Sequence, residues 1–148
     1  MANKITVPIL NIRYQLTQDA IAQCIPNPVT QDHHGLVYLK TNQNISLAYG
    51  NILKVHTGVV LISYPELILN TTPNITLETV AHCYSIPELA EEDGIEVISP
   101  NILTSDYLDE IVITIRNTHK QIFNAERGEP IAMLELGFVP KADFILDE

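Results

Sequence analysis

Residues 111–116 read Ile-Val-Ile-Thr-Ile-Arg. Successive side chains of a strand point to opposite faces. Ile111, Ile113 and Ile115 therefore share one face, and Thr114 and Arg116 lie on the other. A period of two fits a half-buried strand and not a helix. The theme recurs in short pieces. The stretch 58–63, Gly-Val-Val-Leu-Ile-Ser, is β-branched enough for a buried strand, and 131–138 is another. Shorter candidates are 35–40, 52–55, 75–77, 95–98 and 121–123. The run 5–10 contains Pro8, which suits an edge strand. Turn signals at Tyr49-Gly-Asn51, Thr72-Pro-Asn74 and Arg127-Gly128 separate the runs. Many short strands at such spacing predict an all-β sandwich or barrel.

Helix signals are scarce. Thr17 to Gln23 has room for one or two turns. Ser85-Ile-Pro-Glu88 has the spacing of a capping box with a proline near the first turn. It leads into Leu89-Ala-Glu-Glu-Asp93, and Gly94 is a natural stop. One short helix is expected there.

The chain has 148 residues, one domain's worth, and 1–148 is expected to form a single domain. At 46% apolar and 18% charged it is suited to a packed core. The net charge of -10 repels phosphate backbones, and the eight basic residues form no cluster, so no nucleic-acid partner is expected. No run reaches the ~18 apolar residues of a membrane span, and the start lacks the apolar stretch of a signal peptide. A cytoplasmic location, with no membrane partner, is expected. Cys24 and Cys83 are then free thiols, and the sequons at Asn44, Asn70 and Asn74 are chance matches.

Four stretches, in order, resemble the trimeric dUTPase family. Ile5-Thr-Val-Pro-Ile-Leu10 is similar to its first strand. His56-Thr57-Gly58, an apolar strand and Pro65 resemble its "TG-strand-P" segment. Ser105-Asp106-Tyr107, then Glu110 and the run to Asn117, resemble "D-S-D-Y-x-G-E" and the asparagine that ends that strand. Arg127 to Leu134 resembles "G-D-R-I-A-Q-L", and Phe138-Val-Pro140 the strand that follows. Together they span nearly the whole chain. The resemblance implies a distorted jelly-roll β-barrel of the dUTPase-like type, a homotrimer, and active sites between subunits.

It also shows what is missing. Pyrophosphate cleavage needs a carboxylate to activate water, cations to neutralise phosphate, and a pocket for the base. At the position of the family's water-activating aspartate stands Thr104. A hydroxyl with a pKa far above 7 is no base at neutral pH. Asp106 falls on the family's second, usually structural, aspartate; the lesser alternative is that it substitutes as base. The phosphate-binding "R-S-x-L-A" reads Ile86-Pro87-Glu88-Leu89-Ala90. Isoleucine cannot pair with phosphate, proline lacks a backbone donor, and Glu88 adds negative charge. The early "G-x-D" reads Gly35-Leu36-Val37, and the glutamine of "I-A-Q-L" is Met133. The glycine-rich closing motif is expected to be absent, because the sequence runs only to Glu148. Tyr107 matches the residue that packs under deoxyribose in the family, although a core tyrosine at a strand end reads the same. Ser105 and Asp106 equally suit a hairpin turn. The related deoxycytidine-nucleotide deaminases need a glutamate in the strand before the asparagine, and 111–116 has none.

Other groupings carry less. His33 and His34 are adjacent, and His56, His82 and His119 are dispersed, so no metal site is expected. His82 and Cys83 point apart in a strand. Glu91-Glu92-Asp93 reads as a solvated helix face. The segment from Pro65 to Gly94 is longer than its family counterpart. It fits an extra hairpin or a loop for a protein partner.

The reading is thus a non-catalytic protein of the dUTPase type, without cofactor, acting by binding or assembly. A viral or phage structural trimer, in host cytoplasm or virion, or a regulatory relative would fit. The residual nucleotide-pocket candidates are Thr104, Ser105, Asp106 and Tyr107. The alternative is a divergent nucleotide diphosphatase or sensor with a rebuilt pocket, which would use Mg²⁺.

Overall fold

The computed structural model describes residues 12–22, 29–31 and 36–147. The expected strand over 5–10, Cys24, and the pair His33 and His34 lie outside the described residues.

Twelve strands and two short helices follow one another in the described residues: β1 (Tyr14–Leu16), α1 (Gln18–Ala22), β2 (Val29–Gln31), β3 (Val37–Lys40), β4 (Ile45–Leu47), β5 (Ile52–Leu61), β6 (Glu66–Leu69), β7 (Ile75–Tyr84), α2 (Pro87–Glu92), β8 (Ile95–Ser99), β9 (Ile102–Leu103), β10 (Glu110–Asn117), β11 (Phe123–Ala125) and β12 (Pro130–Pro140). Every pairing is antiparallel. One sheet runs β1-β5-β10-β8. A second pairs β11 with β4. The third runs β2-β3-β12-β7-β6, with β9 also on β7. This is the expected all-β, jelly-roll type of architecture. Among the described residues, no ladder joins the three sheets into a closed barrel.

The core forms between the sheets. Ile111, Ile113 and Ile115 of β10 are fully buried, with Val55 and Val59 of β5, Leu39 of β3, Leu103 of β9 and Ile131 of β12. The alternation of β10 is read out as predicted, since its other face stays half-exposed.

Two expected strands, 52–55 and 58–63, are one strand, β5, that bends in the middle. Gly58 takes φ +71°, open to glycine at little cost. The register with β10 shifts opposite it, between Glu110 and Val112. The Glu110 carboxylate accepts the Gly58 N–H at 2.9 Å, and Thr57 Oγ1 donates to the Ile111 carbonyl at 2.7 Å. The bulge is thus held on both sides.

The capping box expected at Ser85 does not form. A residue before proline is driven out of the helical region. Ile86 is accordingly extended (φ −74°, ψ 122°) and becomes the N-cap, with no side-chain cap, and Pro87 opens the helix. Ser85 Oγ accepts instead from the Val97 N–H at 2.8 Å, tying α2 to β8. The stop at Gly94 holds, with φ +65°. The expected strand 121–123 lies two residues later, as β11.

The segment from Pro65 to Gly94 contains a hairpin, β6 with β7. β7 is ten residues long, far more than the expected 75–77, because it pairs along its length with β12 and also with β6 and β9.

Candidate functional site

The Thr104–Tyr107 stretch is the turn that leads from β9 to β10. The Tyr107 N–H donates to the Thr104 carbonyl at 3.0 Å, closing a β-turn. Thr104 Oγ1 donates to the Asp106 carboxylate. That hydrogen bond holds the Asp106 carboxyl below the usual carboxylate range, even though Asp106 is exposed. A carboxylate made less basic in this way is a poorer general base, not a better one. Ser105 is exposed beside it.

Tyr107 folds back onto its own hairpin. Its hydroxyl donates to the Glu110 carbonyl at 2.7 Å, and its ring packs against the core. Tyr64 OH donates to the Tyr107 carbonyl at 3.4 Å. Burial first, and neighbouring acidic groups after it, raise both phenols, Tyr64 to about 12. Each role is one a structural tyrosine fills.

Cys83 lies behind this cluster on β7. It is buried, and burial pushes its thiol up to about 12. At pH 8 the thiolate is then roughly one molecule in ten thousand. In a Cys24→Ser background, Cys83 is expected to resist iodoacetamide more than ~1000-fold relative to a free thiol, and to label on unfolding. Mass spectrometry of the native and the denatured protein reads this directly. Its neighbour His82 points to the opposite face and stacks on Tyr84, with ring centroids 6.2 Å apart.

A separate cavity of about 570 Å³ opens beside α2. α2 and its flanks supply Ile86, Glu88, Leu89 and Asp93. β11 and the residue before it supply Ile122 to Ala125, and the turn residue Glu129 and Pro130 at the start of β12 complete the lining. Ile86 is itself mostly buried and forms a wall. Three carboxylates and no basic side chain line this space. Each carboxylate costs a bound phosphate charge on the order of 2 kcal/mol at about 7 Å near a protein surface. A triphosphate would meet three of them with no cation in return.

None of Thr104 to Tyr107 lines this cavity. Val37 pairs with Leu134 on β12, facing the core side, while Met133 faces the other way between Tyr38 and Tyr84. The candidates Thr104 to Tyr107 and Ile86 thus do not share this cavity, and Val37 packs against the core. Among the described residues, no three His, Cys, Asp or Glu side chains converge as a metal site. No described helix is long and apolar enough to cross a membrane. Sequence reading missed Asp93 and Glu129 as pocket residues. Glu110, which the sequence offered as a motif residue without a role, holds the Gly58 N–H and His56 Nδ1 with its two oxygens, each at 2.9 Å.

Known structures place the fold. The dUTPase of EIAV superposes with a TM-score of 0.66, at 15% identity, over 93% of this chain and 98% of that one. The dUTPase of Streptococcus mutans gives 0.61 at 18% identity, over 91% and 98%. That of Staphylococcus bacteriophage 80alpha, a phage dUTPase described as controlling transfer of virulence genes, gives 0.66 at 14%, over 93% and 87%. No family model matches the sequence. No curated protein matches it either. The chain has the dUTPase-like fold, and its sequence has diverged far from these structures.

Proposed function

We propose that this chain is a non-catalytic protein of the dUTPase fold that acts by binding or assembly, as a homotrimer. The observation that carries the reading is the cavity beside α2. At the place where the sequence resembles a phosphate-binding motif, Ile86 forms the wall, and Glu88, Asp93 and Glu129 supply only negative charge. The Thr104–Asp106 hydrogen bond supports it, because the residue at the water-activating position is a hydroxyl that donates a hydrogen bond to its neighbour and is no base for water. Thr104 lies outside the cavity that Ile86 walls, as a site completed by a second copy of the chain would require. The phage 80alpha dUTPase, with its role in gene transfer, is a neighbour in which this fold serves control.

Purified protein with dUTP and Mg²⁺ is expected to release pyrophosphate no faster than buffer. Deoxynucleotides at about 1 mM are expected to leave the melting temperature unchanged, since a bound ligand would raise it by mass action. Turnover comparable to a true dUTPase would refute the reading. A mass of three chains in solution is expected from light scattering, and a monomer would count against assembly.

A further inference from the structure

We propose that the cavity beside α2 receives an extended basic segment of another protein, which pairs as an added strand with the free edge of β11. The inference rests on the binding reading above and names the chemistry of the partner.

β11 belongs to a sheet of two strands and pairs with β4 alone. A strand paired on one side leaves a row of N–H and C=O groups on the other. Among the described residues, no further backbone hydrogen bond reaches Ile122, Phe123, Asn124 or Ala125. The cavity lies on that open side. All four of these consecutive residues line it, and no residue of β4 does. Neighbouring side chains of a strand point to opposite faces. A space that touches four residues in succession therefore looks onto the edge. Phe123 and Ala125 are buried, whereas Asn124 is exposed and Ile122 is 62% exposed, an apolar side chain left in water at the cavity.

The remaining wall comes from α2 and its flanks, where Ile86 and Leu89 are apolar and Glu88 and Asp93 are charged. A groove between a strand edge and a helix suits an extended peptide. Main-chain hydrogen bonds to the edge give affinity, and contacts of alternate side chains give specificity. Four residues of strand span about 13 Å, so a segment of five or six residues covers the edge.

Charge selects the occupant. Glu88, Asp93 and Glu129 are exposed, and among the described residues no ion pair engages them. The chain's own residues 141–148 hold three acidic side chains against one lysine, and the whole chain carries a net charge of -10. Neither that segment nor the edge of another copy is attracted to this rim, and charge beside an edge guards against such self-pairing. A segment with lysine or arginine at alternate positions is attracted. Its methylene stems can lie on Leu89 and Ile122 while its charged heads reach the carboxylates.

The test uses the full-length protein and a fluorescent hexapeptide, Arg-Val-Lys-Val-Arg-Val, read by anisotropy at about 0.15 M salt. The peptide is expected to bind with a Kd on the order of 100 μM or tighter. The triple variant Glu88→Gln, Asp93→Asn and Glu129→Gln is expected to bind it about tenfold more weakly, as three exposed ion pairs imply. Glutamine at 129 keeps an acceptor for the Glu126 N–H, and circular dichroism checks the fold. A hexapeptide methylated on every backbone nitrogen keeps the charges and loses the donors; it is expected to bind at least about tenfold more weakly. Hydrogen exchange is expected to slow over 122–125 in the complex, and binding without that protection would overturn the placement. Equal binding of the methylated peptide, or displacement by millimolar spermidine, would mean recognition of charge without strand pairing and would overturn the proposal. So would binding of a peptide of residues 141–148, which would assign the cavity to a second copy. If the hexapeptide fails to bind while dUTP stays uncleaved, the contact falls and the non-catalytic reading stands. Cleavage of dUTP at the rate of a true dUTPase would overturn both.

Discussion

Gly58→Val is expected to lower stability by about 4 kcal/mol, and the melting temperature by roughly 10 °C. Two costs add. The backbone at 58 has φ +71°, where a side chain costs about 1–2 kcal/mol. A Cβ there would also stand well inside contact distance of the Ala20 Cβ, with Asn42 Nδ2 and Thr17 Oγ1 both 3.4 Å away. The neighbours cannot yield easily. Ala20 is buried, and the Thr17 N–H donates to the Gly58 carbonyl at 2.9 Å, so α1 is tied to the residue that would push it out. Thermal unfolding followed by circular dichroism gives the magnitude. A double-mutant cycle separates the two causes: Ala20→Gly should recover part of the loss in Gly58→Ala, leaving only the backbone cost. Independent, additive effects would show that the contact is not the reason.

What could be read in the sequence followed from how local each cause is. β10 was legible because one of its faces is core and the other is not, so Ile111, Ile113 and Ile115 alternate. The long β7 was legible only at its start. Its later residues, from Val80 to Tyr84, are held by β12 and β9, partners that no local pattern names. Strands of two or three residues, such as β4 and β9, bury Ile45, Leu47 and Leu103 but are too short to show a period. The capping box misled because two rules met at one place: serine favours the cap, while the proline two positions on makes Ile86 extended. The candidate site divides in the same way. Thr104 and Ile86 could be found because they stand at fixed places within ordered motifs. The acidic lining of the cavity could not, since Glu88 and Glu129 come together only when β12 starts beside α2.

Asn117→Ala is expected to cost about 4 kcal/mol and to loosen the loop that leads into β11. Asn117 is fully buried at the end of β10. Its Nδ2 donates to the Leu47 and Gln121 carbonyls, both at 2.8 Å, and its Oδ1 accepts the His119 N–H at 2.9 Å. Its backbone takes the Gly50 N–H at 2.7 Å and gives to the Asn51 carbonyl at 3.1 Å. One side chain thus fastens β4 and the 118–121 loop to β10, while its backbone holds the turn at Gly50. Alanine would strand two carbonyls and an N–H, each worth about 1–3 kcal/mol where water is excluded. Asn117→Asp should be no better, because a carboxylate would face the two carbonyls that now receive protons. Hydrogen exchange is expected to show protection lost first in β4 and β11, and a uniform loss across β5 and β10 would contradict the assignment. The position also bears on function. Among the residues that resemble dUTPase motifs, Gly58 shapes the β5 bulge and Asn117 ties three segments together, roles that folding itself requires. The motif positions at which this chain differs include Thr104 and Ile86, to which the resemblance assigns water activation and phosphate binding. That division fits the reading proposed above, a dUTPase-type fold that acts by binding or assembly.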